Sequence, residues 1–219
     1  MCFSAPASFI VSGGLTVLGI ATFKVAPKRK KLLAFIPLTF AIQQALEGYQ
    51  WIALNQGEVS MSAGYGFLLF AFLFWPVAIP ATAYILDVRA RTRIRWFLFL
   101  GIIVSLWNLS FFVLSGHPLT ITSLAGTVVY DVQVGQISSI IITVMYISAL
   151  CGSLFVSSIK IFRIFGAGIF IAATVAYVWF RAGFPSVWCF FSALLSACVY
   201  WYATRHNTRV SSRFDNNRV

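Results

Sequence analysis

Charged residues are scarce in this chain. Asp, Glu, Lys and Arg make up 10% of its 219 residues, where a soluble domain carries about 25%. So few cannot coat a water-facing surface, which excludes an ordinary soluble globular domain. Acidic residues are scarcer still, five against 16 Lys and Arg. Histidine occurs only as His117 and His206, and no lysine falls inside an apolar run. Retinal chemistry needs a lysine within a helix. An intramembrane bis-His haem needs two histidines at membrane depth. Neither cofactor fits. No Cys-x-x-Cys pair suggests a structural zinc site. Gly-rich phosphate loops, H-E-x-x-H and G-x-S-x-G are also missing, so no nucleotide site is expected.

What the chain has is apolar length. Apolar residues make up 60% of it, and 22 Phe with seven Trp suit lipid-facing surfaces and interfacial belts. A helix needs about 20 apolar residues to cross a bilayer. Seven segments approach that length: Ala5–Phe23, Leu32–Leu54, Tyr65–Leu86, Trp96–Leu114, Ile137–Phe155, Phe165–Phe180 (with a start as early as Ile161) and Pro185–Tyr202. The expected fold is all-α. Residues 1–203 form a polytopic domain of seven transmembrane helices, and 204–219 form a basic cytoplasmic tail. The odd helix count also permits a three-plus-one-plus-three repeat of the small sugar-transporter type. Spans one to three and five to seven share no motif, however, and no Pro-Gln pair is present.

The positive charges alternate along the chain. The first connection holds Lys24, Lys28, Arg29, Lys30 and Lys31, and the third holds Arg89, Arg91, Arg93 and Arg95 with Asp87. The fifth holds Lys160 and Arg163, and the tail holds Arg205, Arg209, Arg213 and Arg218. Only Arg181 falls in an even connection. A net charge of +11 would suggest nucleic acid in a soluble chain. Here the alternation reads as a topology signal, and no nucleic acid partner is expected. Odd connections and the tail belong in the cytoplasm, which puts the N-terminus outside an inner (plasma) membrane. The basic connections then meet anionic lipid headgroups. The lysine cluster follows the first span, whereas a signal peptide carries its charge in front. Met1 and Cys2 are therefore expected at the outer surface. Ser4 is placed to cap the first helix, with Pro6 in its first turn.

The second span, PLTFAIQQALEGYQWIAL, is the most informative. It carries Gln43, Gln44, Glu47 and Gln50. A carboxylate inside a span costs about 2.5–3.5 kcal/mol on insertion scales. Residues 43, 47, 50 and 51 share one helical face, and Gln44 borders it. That face is expected to turn into the bundle. Asn108 on the fourth span falls at nearly the same depth as Glu47, and Ser12, Thr143, Tyr146, Cys189 and Ser192 fall in the outer half of their spans. These positions imply an outward-opening polar cavity floored by Glu47. Gln43, Gln44, Glu47, Gln50, Trp51, Asn108 and Tyr146 are its candidate ligand-binding residues. Amides also hold helices together without binding anything.

In the third span, Pro76 and Pro80 remove two backbone donors on one face. The carbonyls of 72 and 76 lose their usual partners there, which marks a hinge or a fixed kink. The loop between spans four and five has two β-prone runs, LTIT and TVVYDVQV, flanking Ser123, Leu124, Ala125 and Gly126. A short hairpin capping the cavity is expected. His117, Tyr130 and Asp131 lie on this loop.

Cys2 stands near the expected cavity mouth. Removal of Met1 would set a free amine beside its thiol, a pair able to act as nucleophile and base or to chelate a soft metal. It could equally pack at the interface or join Cys189 in a disulfide. The catalytic candidates are thus Cys2, Glu47 and His117, and the metal candidates are Cys2, His117 and Asp131. Cys151 and Cys198 read as core thiols.

The opening Met1-Cys2-Phe3-Ser4-Ala5, the helix Gln43-Gln44-Ala45-Leu46-Glu47-Gly48-Tyr49-Gln50-Trp51, and Phe74-Trp75-Pro76 with Pro80 resemble an uncharacterised bacterial membrane family. Its members open with MCFSA and carry a Q-Q-x-x-E-G-x-x-W helix. The resemblance covers the first three spans by motif and the rest by hydropathy. It implies a seven-helix membrane protein and no particular activity. It also leads one to expect a His near the Tyr-Asp pair of the outer loop, where this chain reads Gly126-Thr127-Val128-Val129-Tyr130-Asp131.

Three functions remain open on these residues. The first is a membrane protein that binds, senses or transports a small solute through the Glu47 cavity. The second is a membrane enzyme of the outer leaflet with Cys2 as nucleophile or metal ligand. The third is a structural partner, alone or as a homo-oligomer.

Overall fold

The computed structural model describes residues 4–114, 119–124, 126–131 and 136–203. Met1, Cys2, His117 and the tail at 204–219 lie outside the described residues. Seven helices and one hairpin are found within them. Helix α1 is Ala5–Val25, with Ser4 accepting from the Ala7 amide at 3.4 Å and Pro6 in the first turn. After Pro27 a 3-10 segment, Lys28–Ala34, leads into α2, Phe35–Asn55. Helix α3 is Met61–Leu86, α4 is Arg91–Leu114, and α5 begins at Gln136 and ends at Phe155. Helix α6 is Lys160–Trp179, and α7 is Phe184–Ser196, helical again as far as Ala203.

Five of these helices, α1, α3, α4, α6 and α7, are long and apolar enough to cross a membrane. The apolar part of α5, Ile140–Phe155, is shorter. Helix α2 has 21 residues but carries the amides and Glu47, and lipid is a poor solvent for such a row. It is accordingly the most enclosed helix. Ser12 of α1 donates to the Ala41 carbonyl at 2.8 Å, and Phe9 lies against Gly48. Large side chains such as Ile10, Val113 and Trp179 face outward at 70–75% exposure, as they do on a surface meant for lipid.

Two π-turns interrupt the helices. One is Leu69–Phe74 in α3, and the other is Ser148–Gly152 in α5. A π-turn widens the helix and frees carbonyls. In α3 three of these carbonyls are taken by neighbouring helices. Tyr146 donates to Ala71 at 2.5 Å, Asn108 to Phe72 at 3.1 Å and Ser105 to Leu73 at 2.8 Å. Phe72 is the carbonyl that Pro76 deprives of a donor. The Pro76 carbonyl in turn lies where a Cβ on Gly101 would be, so glycine is what lets α4 close on α3.

The expected hairpin forms with β1 at Thr120–Leu124 and β2 at Thr127–Asp131, antiparallel, with Ile121 opposite Tyr130. Gly126 takes the left-handed conformation of the turn at φ +77°, a region costly for residues with a Cβ. The hairpin is not a free loop. Ile121, Val128 and Tyr130 are buried, Ile121 packs on Gly64 of α3, and Thr127 packs on Gly183 before α7.

The opposite end carries the basic connections and one buried acid. Asp87, 2% exposed, accepts from Ser157 Oγ at 2.7 Å, from Ser158 N at 2.6 Å, from Ser158 Oγ at 2.5 Å and from Ala90 N at 3.2 Å. These bonds tie the α3–α4 turn to the α5–α6 turn.

Candidate functional site

The face of α2 that carries Gln43, Glu47, Gln50 and Trp51 points into the bundle. Gln43, Gln44 and Gln50 are fully buried, and Glu47 is 2% exposed. Helix spacing of three and four stacks these residues along one side. The row from Gln43 to Gln50 covers about 10 Å at 1.5 Å per residue.

Glu47 is held from two sides. Gln44 Nε2 donates to one carboxylate oxygen at 3.3 Å, and the Ser186 hydroxyl donates to the other. Ser186 stands in the first turn of α7, just after Pro185. The first turn of a helix has backbone donors without partners, so it suits negative charge. One turn below Glu47, Gln43 accepts from the Trp75 indole at 2.7 Å. Trp75 is fixed by stacking on Phe40, ring centroids 3.9 Å apart. The Cys189 thiol lies within electrostatic reach of both Glu47 and Gln43.

Tyr130 of the hairpin closes the site from above. Its ring stacks on Phe67 at 4.7 Å and its hydroxyl is buried. Burial, then the nearby Glu47 and Cys189, push the Tyr130 phenol well above its ordinary range. It therefore stays a protonated donor.

The hydrogen bonding around Glu47 is incomplete. Gln43 Nε2, Gln44 Oε1, both side-chain polar atoms of Gln50, Trp51 Nε1 and the Tyr130 hydroxyl are buried without a protein partner. A buried polar group left unpaired costs about 1–3 kcal/mol. Native interiors rarely tolerate several together. The row presents donors and acceptors around one carboxylate, which suit a small polar guest or a cluster of water.

The described residues bury this row, in contrast to the outward-opening cavity expected from the sequence. Asn108 and Tyr146 are not brought to Glu47 as donors, since both are spent on the α3 π-turn. Pro76 and Pro80 are buried within α3. Asp131 is exposed at the end of β2, away from the enclosed row. Among the described residues no three His, Cys, Asp or Glu gather as metal ligands. Cys189 is a buried free thiol, whereas Cys198, expected in the core, is exposed. Ser186 and Trp75 were not among the sequence candidates. Polarity alone flags Ser186, but its depth depends on where α7 starts.

Five helices long and apolar enough to cross a membrane, packed around a buried carboxylate, mark a helical membrane protein with a polar interior. The chain belongs to the Family of unknown function (DUF6629), whose model matches residues 1–213. No curated protein and no solved structure matches it.

Proposed function

We propose that this protein binds a small polar solute beside Glu47, as a sensor or transporter in the inner (plasma) membrane. The hairpin end faces outward and the basic end faces the cytoplasm, because among the described residues eleven Lys and Arg stand at the first, third and fifth connections and only Arg181 stands at the other end. The solute enters beneath the hairpin and bonds across α2, α7 and Tyr130.

The observation that carries this reading is the set of unpartnered polar atoms on the α2 face and at Tyr130. Structural amides pair with one another or with carbonyls, as Asn108 does. Those of Gln43, Gln44 and Gln50 leave bonding capacity unused beside a carboxylate. A guest with an ammonium or several hydroxyls satisfies both the charge and the amides.

A panel of amino acids, amines and polyols added to the purified protein tests the reading through thermal unfolding. At least one class is expected to raise the midpoint of the wild type and to leave Glu47→Gln unmoved. A panel that shifts neither protein, or shifts both alike, contradicts it.

A further inference from the structure

A second site-like feature lies at the basic end, remote from Glu47. An apolar groove runs there between Leu33, Ile79, Phe162, Phe165 and Tyr202. The groove is partly open to the exterior. Its walls are hydrocarbon and aromatic apart from Thr82, Cys198 and the Tyr202 ring edge.

Lys30 stands beside it, against Tyr202. The ammonium lies 4.0 Å from the centroid of the Tyr202 ring, and Leu33, three residues on, lines the groove itself. Lys30 Nζ is buried and has no hydrogen-bond partner. Burial lowers the affinity of this amine for its proton. The nearest buried acid cannot serve it. Asp87 lies within electrostatic reach of Tyr202, but both its oxygens are filled by Ser157, Ser158 and Ala90. An ammonium over an aromatic ring gains only part of what a hydrogen-bonded anion supplies. The cation therefore has donors to offer, beside an apolar slot. Lys31, packed on Phe23 at 4.5 Å, and the exposed Lys24 and Lys28 surround it with positive charge.

We propose that the groove holds an acyl chain of one anionic phospholipid, with the lipid phosphate seated on the Lys30 ammonium. Neither half of the feature suffices alone. A free anion has no use for the apolar walls, and a neutral lipid leaves Lys30 unpaired. An amphiphile with a negative head satisfies both. Basic segments beside a bilayer concentrate such lipids. The inference is independent of the solute assigned to Glu47.

Native mass spectrometry of the detergent-purified protein tests it, with phosphatidylglycerol and phosphatidylcholine of matched chains. The wild type is expected to retain one phosphatidylglycerol in preference to phosphatidylcholine. Lys30→Gln should weaken that adduct roughly tenfold, the loss of one charge-assisted bond, and Lys30→Arg should keep it. Thr82→Phe, which fills the groove without touching charge, should weaken it as well. Soluble glycerol phosphate should not compete. In the unmutated protein, N-ethylmaleimide should alkylate Cys198 more slowly in phosphatidylglycerol nanodiscs than in phosphatidylcholine ones. Equal alkylation rates, an undiminished adduct in a folded Lys30→Gln protein, or competition by glycerol phosphate would overturn the proposal.

Discussion

Glu47 and Asp87 are both buried acids, and their surroundings divide their roles. Asp87 meets a hydroxyl or amide at every lone pair that the fold can reach. Burial pushes its carboxyl up, but the bonds from Ser157, Ser158 and Ala90 outweigh burial and bring it from 3.8 down to about 2. A depressed carboxylate stabilises the fold above its unfolded value of about 3.9 and loses that contribution as pH falls toward the folded value. Asp87→Asn should therefore lower the unfolding midpoint at pH 7. The gap from the wild type should close between about pH 4 and pH 2. A gap that is independent of pH contradicts the role given to the charge. Glu47, with two side-chain donors and open amide positions around it, is not saturated in this way.

At the scale of the helix, the π-turn in α3 decides which polar residues remain free. It turns the carbonyls of Ala71, Phe72 and Leu73 outward, and Tyr146, Asn108 and Ser105 are consumed there. Pro76 made one of those carbonyls legible in the sequence, because a missing N–H leaves residue 72 unpaired. The widened turn itself was not legible, since it follows from how α3 packs on α4 and α5. Ser186 was hidden for a related reason. Its depth depends on where α7 starts, and α7 starts beneath the hairpin, with Gly183 against Thr127. The α2 face, by contrast, was plain. Amides at a period of 3.6 within an apolar run have one place to go. The close approach at Gly101 yields an expectation for this element. Gly101→Ala places a methyl on the Pro76 carbonyl, and backbone cannot rotate away. It should cost about 1–3 kcal/mol of stability, read as a lowered thermal midpoint. An unchanged midpoint would mean that α3 and α4 do not meet as described.

For the whole molecule, charge and hydropathy carry the proposed orientation, while the hairpin gives the asymmetry. One end is covered by the β-hairpin, which buries Ile121, Val128 and Tyr130, and holds the carboxylate. The other end is basic and carries the apolar groove. Cysteines placed in the α2–α3 connection at Glu58 and in the first connection at Lys28 report the orientation. Over the wild-type background, a membrane-impermeant maleimide applied to intact cells should label Glu58→Cys and spare Lys28→Cys. The reverse pattern would invert the proposed topology. A buried row that leaves several polar atoms unpaired is costly in a bundle this apolar, and the proposed guest would offset that cost. The most direct measurement is an experimental structure of the wild-type protein in lipid nanodiscs, at a resolution that shows ordered solvent. Non-protein density bonded to Gln44, Gln50, Trp51 and Tyr130 beside Glu47 is the predicted result. Amides that pair only with each other, or lipid tails filling that space, would contradict the account.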